Sequence, residues 1–213
     1  MRRPLIAVVL ATVIVLALNT RAARGQEITV TLLGTGNPMP VMNRFGPSTL
    51  VEVGSHRFLF DAGRGAMQRL AQLKVRWADI DGVFLTHLHS DHVVGFPDLW
   101  LTGWLVAPGR DRALQVWGPE GTSSFLAGLT STFAFDIGVR KSDDRASPEG
   151  VRLDGHEIRE GIVYQQDGVT ITAFDVDHAP VAPALGYRID YAGRSVVLSG
   201  DTRVSENLIR HAA

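Results

Sequence analysis

Cysteine is absent from the 213 residues. That excludes a disulfide framework and removes thiolate as a nucleophile or a metal ligand, so a transition-metal site must be built from histidine and carboxylate. Lysine is scarce: Lys74 and Lys141 are the only two among 21 basic residues. With 22 acidic residues against them, the formal net charge of -1 leaves no global positive field to draw the chain to nucleic acid. No repeat, low-complexity tract or clear linker divides the chain, and its length suits one domain. Long apolar runs are missing beyond the N-terminus. There, Pro4 to Leu18 carries no charge, comes after Arg2 and Arg3, and leads to Ala23-Arg24-Gly25 before Gln26. The run is short for a membrane span of about 20 residues. It predicts a cleaved secretory signal over residues 1–25, a periplasmic domain over 26–213 and no stable membrane association after cleavage. An uncleaved anchor is the alternative.

Beyond that segment the pattern is mixed α/β. Ile28 to Leu33 reads as a strand, and Ser48 to Val53 with Arg57 to Phe60 as a hairpin around Gly54-Ser55. Ala66, Met67, Leu70 and Leu73 share one face of a helix over 64–73. Gly82 to Leu85 is a short buried strand, and Phe96 to Leu105 an apolar helix. A strand over 114–117, a helix over 122–133 and a polar loop over 141–150 come next. Three strands, 169–176, 184–189 and 195–198, precede a last helix starting near Val204.

The buried strand delivers the chain into Thr86-His87-Leu88-His89-Ser90-Asp91-His92. Three of the seven histidines fall within these six positions, 87 to 92, which a merely histidine-rich surface loop does not explain. Alternation in an extended segment points His87 and His89 to one side. A turn through Ser90 can aim Asp91 and His92 at a neighbouring point. Two such clusters suit two metals about 3.5–4 Å apart, and imidazole with carboxylate favours zinc, with manganese or iron possible. A loop at the C-terminal end of a strand is also where α/β sites gather. The helical His-Glu-x-x-His device of zinc proteases is absent. His56, in a hairpin turn, and His156, in a polar loop, read as solvated, and His211 as exposed. Trp100 and Trp104 read as a helix-spaced core pair, with lining of a substrate pocket as the alternative.

Thr86 to Gly95, Thr-His-Leu-His-Ser-Asp-His-Val-Val-Gly, resembles the signature of the metallo-β-lactamase superfamily. Leu33-Gly34-Thr35-Gly36-Asn37-Pro38, Phe60-Asp61-Ala62-Gly63-Arg64-Gly65, Val116-Trp117-Gly118-Pro119-Glu120-Gly121, Asp177-His178 and Ser199-Gly200-Asp201-Thr202-Arg203 narrow it to the ribonuclease Z-like branch. The resemblance runs from about Ile28 to the last residue. It implies an αββα sandwich and two divalent metals, zinc by preference. His87, His89 and His178 would hold the first metal and Asp91 and His92 the second, with Asp201 bridging. Asp91 would also orient the attacking water. Asp61 could accept from a ligand histidine and fix its tautomer, an Asx-turn or helix cap being equally open.

The branch contains tRNA 3′-processing endonucleases, other phosphodiesterases and arylsulfatases. The chemistry expected is hydrolysis of phosphodiester or sulfate esters on a small or aryl substrate by a metal-activated water. A ribonuclease Z-type tRNA endonuclease is the alternative. Against tRNA stand the near-zero charge, the export signal and the interval of 22 residues between His178 and Asp201, where ribonuclease Z inserts its tRNA-gripping arm. A β-lactamase is disfavoured, because the common zinc lactamases place a cysteine in the second site. The family adds a further histidine ligand and a His-Glu segment downstream of the Gly-Asp-Thr turn. Neither precedes Ala213, so the expectation is a fold whose C-terminal part is missing. A chain ending naturally there would be a metal-binding module with impaired activity. The branch also tends toward homodimers.

Overall fold

A computed structural model describes residues 27–142 and 146–213. The expected signal segment, 1–25, lies outside the described residues. Among those described, no helix is long and apolar enough to cross a membrane.

Two sheets lie face to face. The first runs β1 (Ile28–Gly34), β2 (Ser48–Val53), β3 (His56–Phe60), β4 (Gly82–Phe84), β5 (Leu114–Gly118) and β6 (Leu153–Glu157), in that spatial order. β1, β2 and β3 pair antiparallel; β3 through β6 pair parallel. The second sheet is antiparallel, in the order β10 (Arg194–Leu198), β9 (Leu185–Tyr191), β8 (Val169–Asp175), β7 (Gly161–Gln166).

Period-2 alternation sorts the first sheet's side chains onto two faces. Leu50, Leu59, Val83 and Val116 point one way and pack with Met67 and Leu70 of α1 (Ala66–Gln72), with Phe96, Leu99, Trp100 and Trp104 of α3 (Phe96–Leu105), and with Leu126 of α4 (Thr122–Thr132). Val51, Phe58, Phe60 and Phe84 point the other way, onto Val169, Ile171, Tyr187 and Ile189 of the second sheet. Phe84 is the hub there, stacked on Trp117 at 4.6 Å and on Phe60 at 5.0 Å between ring centroids. α6 (Glu206–Ala212) lies over β8, β9 and β10. This is the expected αββα sandwich.

Several expectations need correction. β6 and β7 were not foreseen. Leu-Asp-Gly-His-Glu carries too little apolar character to read as a strand, and both are edge strands with a neighbour on one side only. α4 ends at Thr132, and a further helix, α5 (Ala134–Lys141), comes after it. α6 begins at Glu206, capped by the Ser205 hydroxyl, two residues later than expected. Trp100 and Trp104 are core, their indole N–H groups donating to the carbonyls of Val151 (2.8 Å) and Ser147 (2.7 Å).

Three histidines also differ. His56 is buried, donating through Nε2 to the Asp167 carboxylate (3.0 Å) and stacked on Phe58. It ties the β2–β3 hairpin to the β7–β8 hairpin, a contact between residues 111 apart that local pattern cannot show. His156 is exposed as expected, but it sits on β6 against Trp117. His211 is half-buried, stacked on Phe174 at 4.4 Å.

Candidate metal centre

β4 ends at Phe84 and the chain turns out of the sheet with both neighbours gripping it. Tyr187 donates its hydroxyl to the Leu85 carbonyl (2.7 Å), and the Leu185 amide donates to the Thr86 carbonyl (2.9 Å). The second sheet therefore anchors the start of the histidine loop. The backbone stays extended at His89 (φ −62°, ψ 144°), then coils into the single turn α2 (Ser90–Val93). That break in direction lets His87 and His89 face one point and His92 another.

The loop is seated on residues 61–63. Ala62 donates to the His92 carbonyl (2.8 Å) and Gly95 to the Ala62 carbonyl (2.9 Å). No side chain fits between: a Cβ on Gly95 would lie 2.2 Å from the Gly63 carbonyl oxygen, and one on Gly63 2.5 Å from that of Asp91.

Two donor sets result. His87, His89 and His178 offer nitrogens within 4.8 Å of one another, and so do His87, His92 and the Asp201 carboxylate. His178 comes from the loop between β8 and β9, and Asp201 from the turn after β10. His87 belongs to both sets. Asp91 is half-buried and stands outside both. The resemblance implies Asp91 and His92 at the second metal with Asp201 bridging; Asp201 lies with His92 here, and the Asp91 carboxylate is not within 4.8 Å of every donor in that set.

The fit to a metal can be tested on the imidazoles themselves. Nε2 of His87 and of His92 are buried with no hydrogen-bond partner. Buried polar atoms normally have one, and leaving them unpaired costs about 1–3 kcal/mol each. Both point their bare nitrogen toward the shared donor cluster. The residues present fit a divalent cation.

Asp61 explains why those nitrogens are bare. Its Oδ1 accepts the Thr86 amide (2.8 Å); its Oδ2 accepts the Thr86 hydroxyl (2.9 Å) and lies 2.7 Å from His92 Nδ1. A carboxylate only accepts, so His92 carries its proton on Nδ1 and presents Nε2 free. Having given its proton to Asp61, the Thr86 hydroxyl accepts at 2.9 Å from His87 Nδ1, which frees His87 Nε2 likewise. One buried carboxylate thus sets the tautomer of a ligand in each set, one directly and one through Thr86. Asp61 therefore makes the histidine contact expected of it; Thr86, the first residue of the quoted motif, was given no role, because its part depends on this contact. Asp61 adopts φ 58°, a left-handed conformation that aspartate tolerates better than most residues.

The same contacts set the charges. Burial, with the neighbouring His92 second, drives His87 down to about 3, so it is neutral and available as a ligand near neutral pH. Burial also opposes charge on His92, but the Asp61 hydrogen bond and the negative charges of Asp61, Asp201 and Asp91 outweigh it and raise its pKa. A cleft of about 450 Å³ opens beside this side of the centre, lined by Thr35, Ser48, Asp61, Thr86, His92 and Asp201 among others.

The sandwich and its paired donor sets define a ribonuclease Z-like member of the metallo-β-lactamase superfamily. Within it, residues 28–213 match the family model described as anti-Pycsar protein Apyc1, and the chain belongs to that family. It is 44% identical over 177 residues to ribonuclease Z of Mycobacterium sp. strain KMS, covering 82% of this chain and 61% of that protein. It is 45% identical over 179 residues to ribonuclease Z of Mycobacterium marinum, covering 82% and 63%. The chain therefore spans a little over three-fifths of the length of these relatives. Among solved structures it superposes on human tRNase Z, short form, with a TM-score of 0.68 at 22% identity (86% of this chain, 73% of the other). It superposes on the metallo-β-lactamase fold protein YhfI of Bacillus subtilis with a TM-score of 0.65 at 20% identity (84% and 65%). Those two likenesses speak to the fold.

Proposed function

We propose that this chain carries a metal-dependent hydrolase centre that cleaves phosphodiesters in the manner of ribonuclease Z. The carrying observation is the pair of donor sets joined at His87, with two buried imidazole nitrogens left bare by the Asp61–Thr86 network. Of the two ester classes expected from sequence, the phosphodiester is the one the relatives support, since they are named ribonuclease Z. The sulfate ester has no support among them.

His87, His89 and His178 would hold one divalent ion and His92 with Asp201 the other, zinc by the chemistry of the donors. Bound there, the ions would supply Lewis acidity and acidify a water toward neutrality. The protein's part is to aim the imidazoles and to keep His87 neutral. Asp61 and Thr86 hold the protons on Nδ1, and burial keeps His87 uncharged. Asp91, beside His92 on α2, would be the carboxylate that accepts a proton from an attacking water, as the family resemblance suggests. Between His178 and Asp201 the described chain is occupied by β9 and β10, joined by a tight turn at Ala192-Gly193, so a substrate has no inserted arm to grip it in that interval. That favours a small phosphodiester or a short RNA end over whole tRNA.

The test is a comparison on the zinc-supplemented chain: bis(p-nitrophenyl) phosphate, a 3′-extended RNA and an aryl sulfate, each with and without chelator. Chelator-sensitive turnover of a phosphodiester, lost in His89→Ala, is the expected result. Turnover of the aryl sulfate alone would refute the reading.

A further inference from the structure

The two candidate ligands that arrive late in the sequence sit on separate loops, and Arg203, with Thr202 beside it, straps those loops together. Asp177 and Ala179 flank His178. The Arg203 amide donates to the Asp177 carbonyl (2.8 Å), to which the Thr202 hydroxyl also comes within 3.3 Å. The Arg203 guanidinium donates through Nη2 to the Ala179 carbonyl (3.0 Å), and its Nη1 lies 3.5 Å from the Asp177 carboxylate. That carboxylate in turn accepts the Ala179 amide (3.2 Å). Arg203 is two residues past Asp201, so its backbone is part of the turn that presents the carboxylate.

We infer that Arg203 is a positioning residue for the metal centre, holding the His178 loop against the Asp201 turn so that both late ligands reach the histidine loop as one unit. The inference rests on the metal-centre reading above. As an ion pair alone it would do little: the side chains are 64% and 51% exposed, and such pairs contribute about 0–1 kcal/mol. Its consequence lies in geometry. His178 is only half-buried, and the Arg203 guanidinium is the one side chain from outside its loop that bonds the backbone just past it, among the described residues. A planar fork sends separate nitrogens to the carbonyl and the carboxylate; an ammonium would have to serve both from one point.

The test is competition of the chain with a chromophoric zinc chelator. His89→Ala identifies the class of zinc that depends on the His87–His89–His178 set. In Arg203→Ala that same class should weaken about 10-fold, the lower end of what losing an outer partner costs. Circular dichroism and melting temperature of the metal-free chain should stay as in the wild type. Arg203→Lys should remain weakened. Asp177→Asn, which removes the charge and keeps an acceptor for Ala179, should fall between and serves if Arg203→Ala folds poorly. Unchanged zinc binding in these variants overturns the inference, including where Arg203→Ala raises KM for a phosphodiester, which would make Arg203 a substrate contact. A wild-type chain that binds no zinc overturns the metal-centre reading itself and this inference with it.

Discussion

Asp61→Asn changes one atom of a buried side chain and should uncouple metal affinity from stability. Asparagine has the same shape and tolerates the left-handed φ of 58°. Its oxygen can keep the Thr86 amide, now bonded at 2.8 Å. Its amino group must then occupy the place of Oδ2, facing the Thr86 hydroxyl and His92 Nδ1, both of which donate in the wild type. In the metal-free chain each can reverse. The hydroxyl accepts from the introduced amide and donates to His87 Nδ1, and His92 Nδ1 accepts. Stability should therefore change by only about 1 kcal/mol, the difference between ordinary and charge-assisted bonds. The reversal carries both protons to Nε2, the nitrogens a metal needs. Binding must force them back against two mismatched contacts, at about 1.5–3 kcal/mol for each charge-assisted bond lost. Allowing for relaxation, about 3 kcal/mol or roughly 100-fold in zinc affinity is expected. Chelator competition reads the affinity, urea unfolding with chelator present reads the stability, and nitrogen NMR of the imidazoles reads the tautomers. Wild-type zinc affinity in Asp61→Asn, or a loss of metal-free stability as large as the loss of binding energy, would refute the tautomer reasoning.

Three further outcomes are expected. Saturating zinc at about 100 times its dissociation constant should stabilise the fold by about 2.7 kcal/mol, raising the melting temperature by roughly 5–11 °C in a chain of this size, and chelator should reverse it; scanning calorimetry decides. Gly95→Ala places a Cβ 2.2 Å from a backbone oxygen that cannot move without Ala62 and Gly63, so about 3 kcal/mol of stability should go, together with zinc binding, read by denaturant unfolding and metal analysis. His56→Ala removes a buried ring stacked on Phe58 and bonded to Asp167, and should cost about 2 kcal/mol, or roughly 4–8 °C, with zinc affinity unchanged because that ring ties the hairpins rather than the ligand loops.

Much of the centre was legible because its chemistry is local. His87, His89 and His92 crowd into six residues, and the strand before them reads as buried, so a metal loop at the end of a core strand can be read from the order of residues alone. The core strands were readable for a similar reason: alternation sends Leu50 and Leu59 to one face and Val51 and Phe58 to the other. β6 was not, since Leu-Asp-Gly-His-Glu holds a single apolar residue, and its neighbour in sequence, β7, was missed with it. His178 and Asp201 came only from the family resemblance. Their partners lie some ninety or more residues away, and no local period records that.

By itself the sequence determined which donors exist: imidazole and carboxylate, never thiolate, in a loop fed by a buried strand. Only the tertiary structure decided how they divide, because that depends on contacts between segments far apart. It brought His92 and Asp201 within 4.8 Å of each other and of His87. It also placed Asp61 and Thr86 where a single carboxylate, 25 and 31 residues from the groups it holds, leaves two histidines each with a bare Nε2 by settling which nitrogen keeps its proton.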